Sequence, residues 1–294
     1  MSKKASVRFQ ENLKKLSVTP GSVIYLGIDM GKIPLPNIEV PLTKKAIRER
    51  EQYWCKFVLE NLLEAIGPGG TLLVPTFSYS CGASGVPFHL ETTPSEVGPF
   101  TEFFRKSTSV IRSTHPIFSV AGIGAKAKII LENTGKAAFG ALSPYGRMRE
   151  HGAMFVTLGV QFRNSMTYVH HLEQTYGCNH RYNKMFHTPV YKNGALQKGP
   201  WLGYVSYRST GSLVEIKPFE QMLKKLGVLR EHVDAGSVYQ SASIDDVTKI
   251  GYEMLNANPS FFESRNTEFK LDELPASMPL PSENVPKFQL ILRQ

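Results

Sequence analysis

Long apolar runs are missing from this 294-residue sequence: no stretch approaches the roughly 18 apolar residues that a membrane-crossing helix needs. Met1-Ser2-Lys3-Lys4-Ala5-Ser6-Val7-Arg8 has no apolar stretch behind it to make a signal peptide, so a cytoplasmic location without membrane insertion is the expectation. Cysteine is scarce as well. Cys55, Cys81 and Cys178 are odd in number and far apart, with no Cys-x-x-Cys, which argues against a disulfide framework and a zinc site. Cys55 falls in a helical pattern, whereas Cys81 and Cys178 fall in loop-like segments with no base visibly paired to either. No His-Glu-x-x-His occurs, and no metal is expected. The net charge is +9, yet no run of five Lys or Arg and no nucleic-acid-binding motif is present. A cationic surface gathers anions, so the expected partner is a small anionic molecule rather than nucleic acid.

What is present is the material of a core, since 41% of the residues are hydrophobic. Residues 43 to 66 carry Ile47, Trp54, Phe57, Val58, Leu62, Leu63 and Ile66 near a 3.6 period, which predicts an amphipathic helix ending at Gly67-Pro68-Gly69-Gly70. The run Thr71-Leu72-Leu73-Val74-Pro75 then reads as a buried strand, and Val23-Ile24-Tyr25-Leu26 and Phe155 to Val160 read likewise. Asp245 to Ala257 is again helical. This alternation predicts an α/β fold, a central sheet flanked by helices, with ligands at the carboxyl ends of its strands. Short aromatic and β-branched pieces from 188 to 212, broken by Asn193-Gly194 and Gly199-Pro200, predict a small β-rich insert. The expected organisation is one domain over 1–265 and a proline-bearing extension over 266–294 that wraps the body or a partner subunit, a homodimer being the expected assembly.

Two segments carry candidate chemistry. In Arg112-Ser113-Thr114-His115-Pro116-Ile117-Phe118-Ser119 an imidazole is fixed by the following proline, and its ordinary pKa of about 6.5 suits a base, although a lone histidine also serves as a structural group. Asn164-Ser165-Met166-Thr167-Tyr168-Val169-His170-His171-Leu172-Glu173 opens with helix-capping residues and predicts a helix bearing Thr167, His170 and Glu173 on one face. A carboxylate there either supports a histidine elsewhere or is a solvated surface group.

These segments, with Glu64 to Phe77, Thr92-Thr93-Pro94-Ser95-Glu96-Val97-Gly98, Leu142-Ser143-Pro144-Tyr145-Gly146-Arg147 and the Arg181-Tyr182 stretch, resemble the aminoglycoside 3-N-acetyltransferase family from about Thr19 to Phe262. The resemblance implies acyl transfer from acyl-CoA to an amine, acetyl or longer, on a fold distinct from the common GNAT fold. It implies catalytic roles for His115 and Glu173, with Thr167 and His170 beside them. It places the cofactor near Thr76, Phe77, Ser119, Ser143, Tyr145, Arg147 and Gly31, and the acceptor near Asp29, Thr92, Thr93, Arg181 and Lys184. Where relatives carry His-Ser-Ser after the first strand, this chain has Gly27-Ile28-Asp29. Because His180, Arg181, Lys184, His187 and Lys192 are basic, the expected acceptor is a dTDP- or UDP-linked amino sugar of surface-glycan synthesis. An antibiotic-inactivating aminoglycoside acetyltransferase, or an inactive protein binding coenzyme A or a nucleotide sugar, are the alternatives.

Overall fold

The computed structural model describes residues 3–37, 41, 43–83, 85–206 and 214–263. The helices are α1 (Lys3–Lys15), α2 (Lys44–Ile66), α3 (Pro99–Arg105), α4 (Ala127–Leu131), α5 (Pro144–Glu150), α6 (Phe162–Ser165), α7 (Val169–Tyr176), α8 (Lys217–Lys225) and α9 (Ile244–Ala257). The strands are β1 (Val23–Ile28), β2 (Thr71–Pro75), β3 (Phe88–His89), β4 (Ile111–Arg112), β5 (Val120–Gly124) and β6 (Met154–Leu158), then β7 (Arg181–Phe186), β8 (Val190–Lys192), β9 (Ala195–Gln197), β10 (Trp201–Ser206), β11 (Arg230–Asp234) and β12 (Ser237–Ser243). Seven of these strands form a mixed sheet in the order β11-β12-β6-β1-β2-β5-β4. The α/β expectation with a central mixed sheet is met.

The strand sequences explain the layering. In β1, Val23 and Tyr25 enter one hydrophobic cluster and Ile24 and Leu26 the other. Alternate side chains point to opposite faces, so an unbroken apolar strand is one buried on both sides. The first face packs against α5, α7 and α9 through Tyr145, Leu172 and Val247, and the second against α1 and α2 through Phe9, Phe57 and Leu62. The Thr43 hydroxyl caps α2 by accepting from the Ala46 amide at 3.2 Å, and Ser243 caps α9, whose first turn holds Asp245 and Asp246.

β1 pairs in parallel with both β2 and β6, while β5 and β12 run antiparallel beside them. The connections therefore diverge on either side of β1, and a crevice opens at its carboxyl end. The β-rich part is larger than the 188–212 insert expected from sequence. It begins at Arg181, where β7 pairs with β10, and it recruits β3 into a second small sheet with β8 and β9. Asn193 and Gly194 turn that hairpin with φ of 50° and 74°, as a tight two-residue turn requires. Residues 207–213 of the expected insert, and the extension from 266 onward, lie outside the described residues.

Candidate active site

The crevice is a cleft of about 390 Å³ at the ends of β1, β2 and β6, walled by the loops after them and by residues 97–101. Leu26 to Gly31 form one side, Pro75, Phe77, Tyr79 and Val97 to Thr101 another, and Val160, Asn164, Ser165 and Thr167 the third. Asp29 is the one charged residue among the described residues lining it. Its Oδ1 accepts from the Gly31 amide at 3.0 Å, and Lys32 lies 3.5 Å from Oδ2 in a solvent-exposed pair.

The helix expected from Asn164 to Glu173 is broken. A single turn, α6, ends at Ser165, and α7 begins only at Val169, so Thr167 sits in the break with its amide donating to the Ser165 carbonyl at 3.0 Å. A glutamine and a glutamate from other elements supply the capping that α6 lacks. The Phe162 amide donates to Gln240 at 2.6 Å and the Arg163 amide to Glu220 at 2.9 Å. Thr167 is thereby presented to the cleft, and His170 follows one turn later.

On α7, His170 and Glu173 do share a face. His170 Nδ1 donates to Glu173 Oε2 at 2.9 Å, which fixes the proton on Nδ1 and leaves Nε2 as the lone-pair nitrogen. Glu173 is fully buried, yet both of its oxygens are engaged: His180 Nε2 donates to Oε1 at 2.7 Å, and Arg181 Nε lies 2.9 Å from Oε2. Burial alone pushes the Glu173 carboxyl up, but the bonds from His170 and His180 and the charge of Arg181 outweigh it and hold it at about 2. Burial draws the His170 imidazole below its ordinary 6.5, opposed by Glu173. The arrangement has the make-up of an imidazole base backed by a carboxylate that is ionised at neutral pH. Neither His180 nor Arg181 stood out as a partner of Glu173 in the sequence, though both follow α7 closely.

His115 has a different place. Its Nδ1 accepts from the Ile117 and Phe118 amides at 3.2 and 3.0 Å, and its Nε2 donates to the Leu202 carbonyl at 3.1 Å. Both nitrogens are occupied by backbone, the ring is 2% exposed, and burial pulls its pKa to about 4. The expected catalytic role of His115 is therefore corrected: the ring ties the 112–119 loop to β10. The rest of that motif is structural too. Arg112 donates to the Thr76 carbonyl at 2.7 Å, the Thr93 carbonyl at 2.6 Å, and the hydroxyls of Ser78 and Ser119 at 3.0 Å.

The expected cofactor set divides in the same way. Phe77 and Gly31 line the cleft. Thr76 and Ser119 are fully buried and bond to each other's carbonyls, Ser143 caps α5, and Tyr145 is buried with its hydroxyl 3.2 Å from that of Tyr25. Arg147 clamps the end of α4, donating to the Ile129, Glu132 and Asn133 carbonyls. Within the structure these five bond to neighbouring elements and lie outside the cleft lining. Of the expected acceptor residues, Asp29 lines the cleft, Thr93 fixes a turn by accepting from the His89 amide at 2.7 Å, and Arg181 holds Glu173. Thr92 bonds back to the same turn, and Lys184 lies over the Phe186 ring. The cations that suggested an anionic acceptor are thus not part of the cleft lining, and Lys184 and Arg181 have partners within the protein.

The model of the family described as aminoglycoside 3-N-acetyltransferase matches residues 46–256. Aminoglycoside N(3)-acetyltransferase IV of Salmonella sp is 30% identical over 151 residues, which spans 50% of this chain and about half, 51%, of that protein. A histidine-to-alanine variant of the acetyltransferase AAC(3)-IVa, solved in complex with a gentamicin, superposes with a TM-score of 0.66 at 22% identity, covering 87% of this chain and 90% of that one. Sisomicin-bound AAC-VIa superposes with a TM-score of 0.70 at 18% identity, covering 86% and 98%. The matching family model and the curated relative both describe aminoglycoside acetyltransferases, and the described cleft lining offers no lysine or arginine, so the expectation of a nucleotide-linked amino sugar is overturned. The chain belongs to the aminoglycoside 3-N-acetyltransferase family.

Proposed function

We propose that this protein transfers an acetyl group from acetyl-CoA to an amine of an aminoglycoside-type amino sugar, with His170 as the base. The observation that carries the reading is the 2.9 Å pair of His170 Nδ1 with the buried Glu173, one turn on from Thr167, which lines a cleft whose described residues hold one charge, the acidic Asp29. An amine attacks a thioester only as the free base, and His170 Nε2 receives the proton released as the nitrogen bonds to the carbonyl carbon. Glu173 stabilises the imidazolium so formed. Collapse of the tetrahedral adduct breaks the carbon–sulfur bond, and His170 returns its proton to the departing thiolate, giving coenzyme A and the amide.

Charge that grows on the thioester oxygen needs donors, and the Thr167 hydroxyl in the α6–α7 break is suited to that role. The uncharged residues Pro75, Phe77 and Val160 suit the neutral pantetheine arm of the co-substrate, while Asp29 suits an ammonium of the acceptor. The test is thiol release from acetyl-CoA with kanamycin- or gentamicin-type amines. Turnover in the wild type and a loss of about 100-fold or more in His170→Ala are expected, the scale of a positioned general base. An undiminished rate in His170→Ala removes the assignment.

A further inference from the structure

We infer that Tyr79 is the aromatic platform on which the amine-bearing ring of the acceptor lies, so that this residue governs how tightly the acceptor is held. The inference rests on the acetyl-transfer reading and adds a recognition residue to it.

Tyr79 lines the cleft and is 54% exposed, although it belongs to a chain that buries most of its large rings. Its exposure is not slackness. The short 3-10 turn that carries it, Tyr79–Gly82, is braced by the segment that leads into Val97: the Ser80 amide donates to both Glu96 oxygens at 3.2 Å, and the Ser80 hydroxyl donates to the same carboxylate. The Glu96 amide donates back to the Phe77 carbonyl at 2.8 Å, and the Ser78 hydroxyl donates to the Pro94 carbonyl at 2.6 Å. The ring itself meets Phe77 and Phe118 edge-on, with centroids 5.9 and 6.3 Å away. A rigidly mounted exposed aromatic costs no ordering when a ligand arrives, which is what a binding surface needs.

The chemistry of the face selects the ligand. Burial, and after it the nearby Glu96 carboxylate, raises the Tyr79 phenol above its ordinary value, so the ring stays neutral with its electron-rich face intact. Such a face attracts ammonium groups and the apolar side of a ring that bears them. Among the described residues lining the cleft Asp29 carries the one charge, and the Tyr79 ring adds a stacking contact to the hydroxyl and amide groups of Thr101, Asn164 and Ser165.

Calorimetric binding of a gentamicin- or kanamycin-type amine in the absence of acetyl-CoA reads the platform without turnover. Tyr79→Ala is expected to weaken binding about tenfold and to raise the acceptor KM more than it lowers kcat, with Tyr79→Phe restoring affinity because the ring and not the hydroxyl is used. Equal affinity in Tyr79→Ala, a rise confined to the acetyl-CoA KM, or a Tyr79→Phe variant as weak as Tyr79→Ala overturns the platform. Wild-type protein that binds the amine but never acetylates it removes the functional reading and leaves the platform standing; turnover with unaltered Tyr79→Ala affinity does the reverse.

Discussion

His115 and His171 are held as neutral imidazoles: each accepts backbone amide donors on Nδ1, and burial draws each pKa to about 4. In the unfolded chain the same rings titrate near 6.5, so below that pH the unfolded state takes up protons that the native state refuses. Their contribution is complete above about pH 6.5 and is lost as the pH falls towards 4, by about 3 kcal/mol for each ring at 1.36 kcal/mol per pH unit. Melting temperature is expected to drop steeply across this window, and a flat profile in calorimetry would refute the neutral assignment. His115 and His170 should also separate cleanly. His115→Asn is expected to lose about 2 to 4 kcal/mol of stability while kcat/KM of the folded fraction stays within about threefold, because it leaves buried backbone groups unpaired. His170→Ala should keep its melting temperature and lose activity. That both His115 nitrogens are taken by backbone was not legible in the sequence, because one of the partners, the Leu202 carbonyl, lies 87 residues downstream. The Glu173 pairing with His170 was legible as a shared helix face, since three-residue spacing survives even in a shorter helix.

Among the elements, the α6–α7 break is the one that sequence periodicity could not find. The helix-capping residues at 164–165 belong to the end of a single turn rather than to the start of a long helix, and the actual caps come from Glu220 and Gln240 on other elements. The strands were easier to read, because burial on both faces leaves an unbroken apolar run in β1 and β2. The break is held against β1 by close approach. A Cβ at Gly27 would lie 2.7 Å from the Ser165 side chain, closer than packed atoms allow, so one of the two must shift. Gly27→Ala is therefore expected to displace the Ser165–Thr167 wall and to lower kcat/KM about tenfold or more. Ser165→Gly in the same chain should recover most of that loss, and steady-state kinetics on the single and double variants decides it. The loop under the opposite wall depends on Arg112, whose guanidinium is pulled by burial to about 9 and serves five separate acceptors, the Leu90 carbonyl among them. Arg112→Met should cost about 3 to 5 kcal/mol in denaturant unfolding, since it strands buried carbonyls.

At the scale of the whole molecule, the cleft and the surface carry opposite electrical characters. The chain is +9 overall, whereas the described cleft lining offers one carboxylate and no lysine or arginine. A cationic body far outside contact range repels a polycation and draws in a polyanion, over a distance of about 10 Å at 0.1 M salt. Ionic strength should then act on the two substrates in opposite directions: added salt is expected to speed capture of the amine and to slow capture of acetyl-CoA. Association rates measured from low to moderate salt would show two slopes of opposite sign, and a shared sign would contradict the division. For the proposed reaction, acetyl-CoA is therefore expected to bind ahead of the amine at low salt, and its negative charge is expected to make the loaded protein the more attractive target for the amine. On that expectation, the charge of the surface alone is enough to favour one order of assembly over the other.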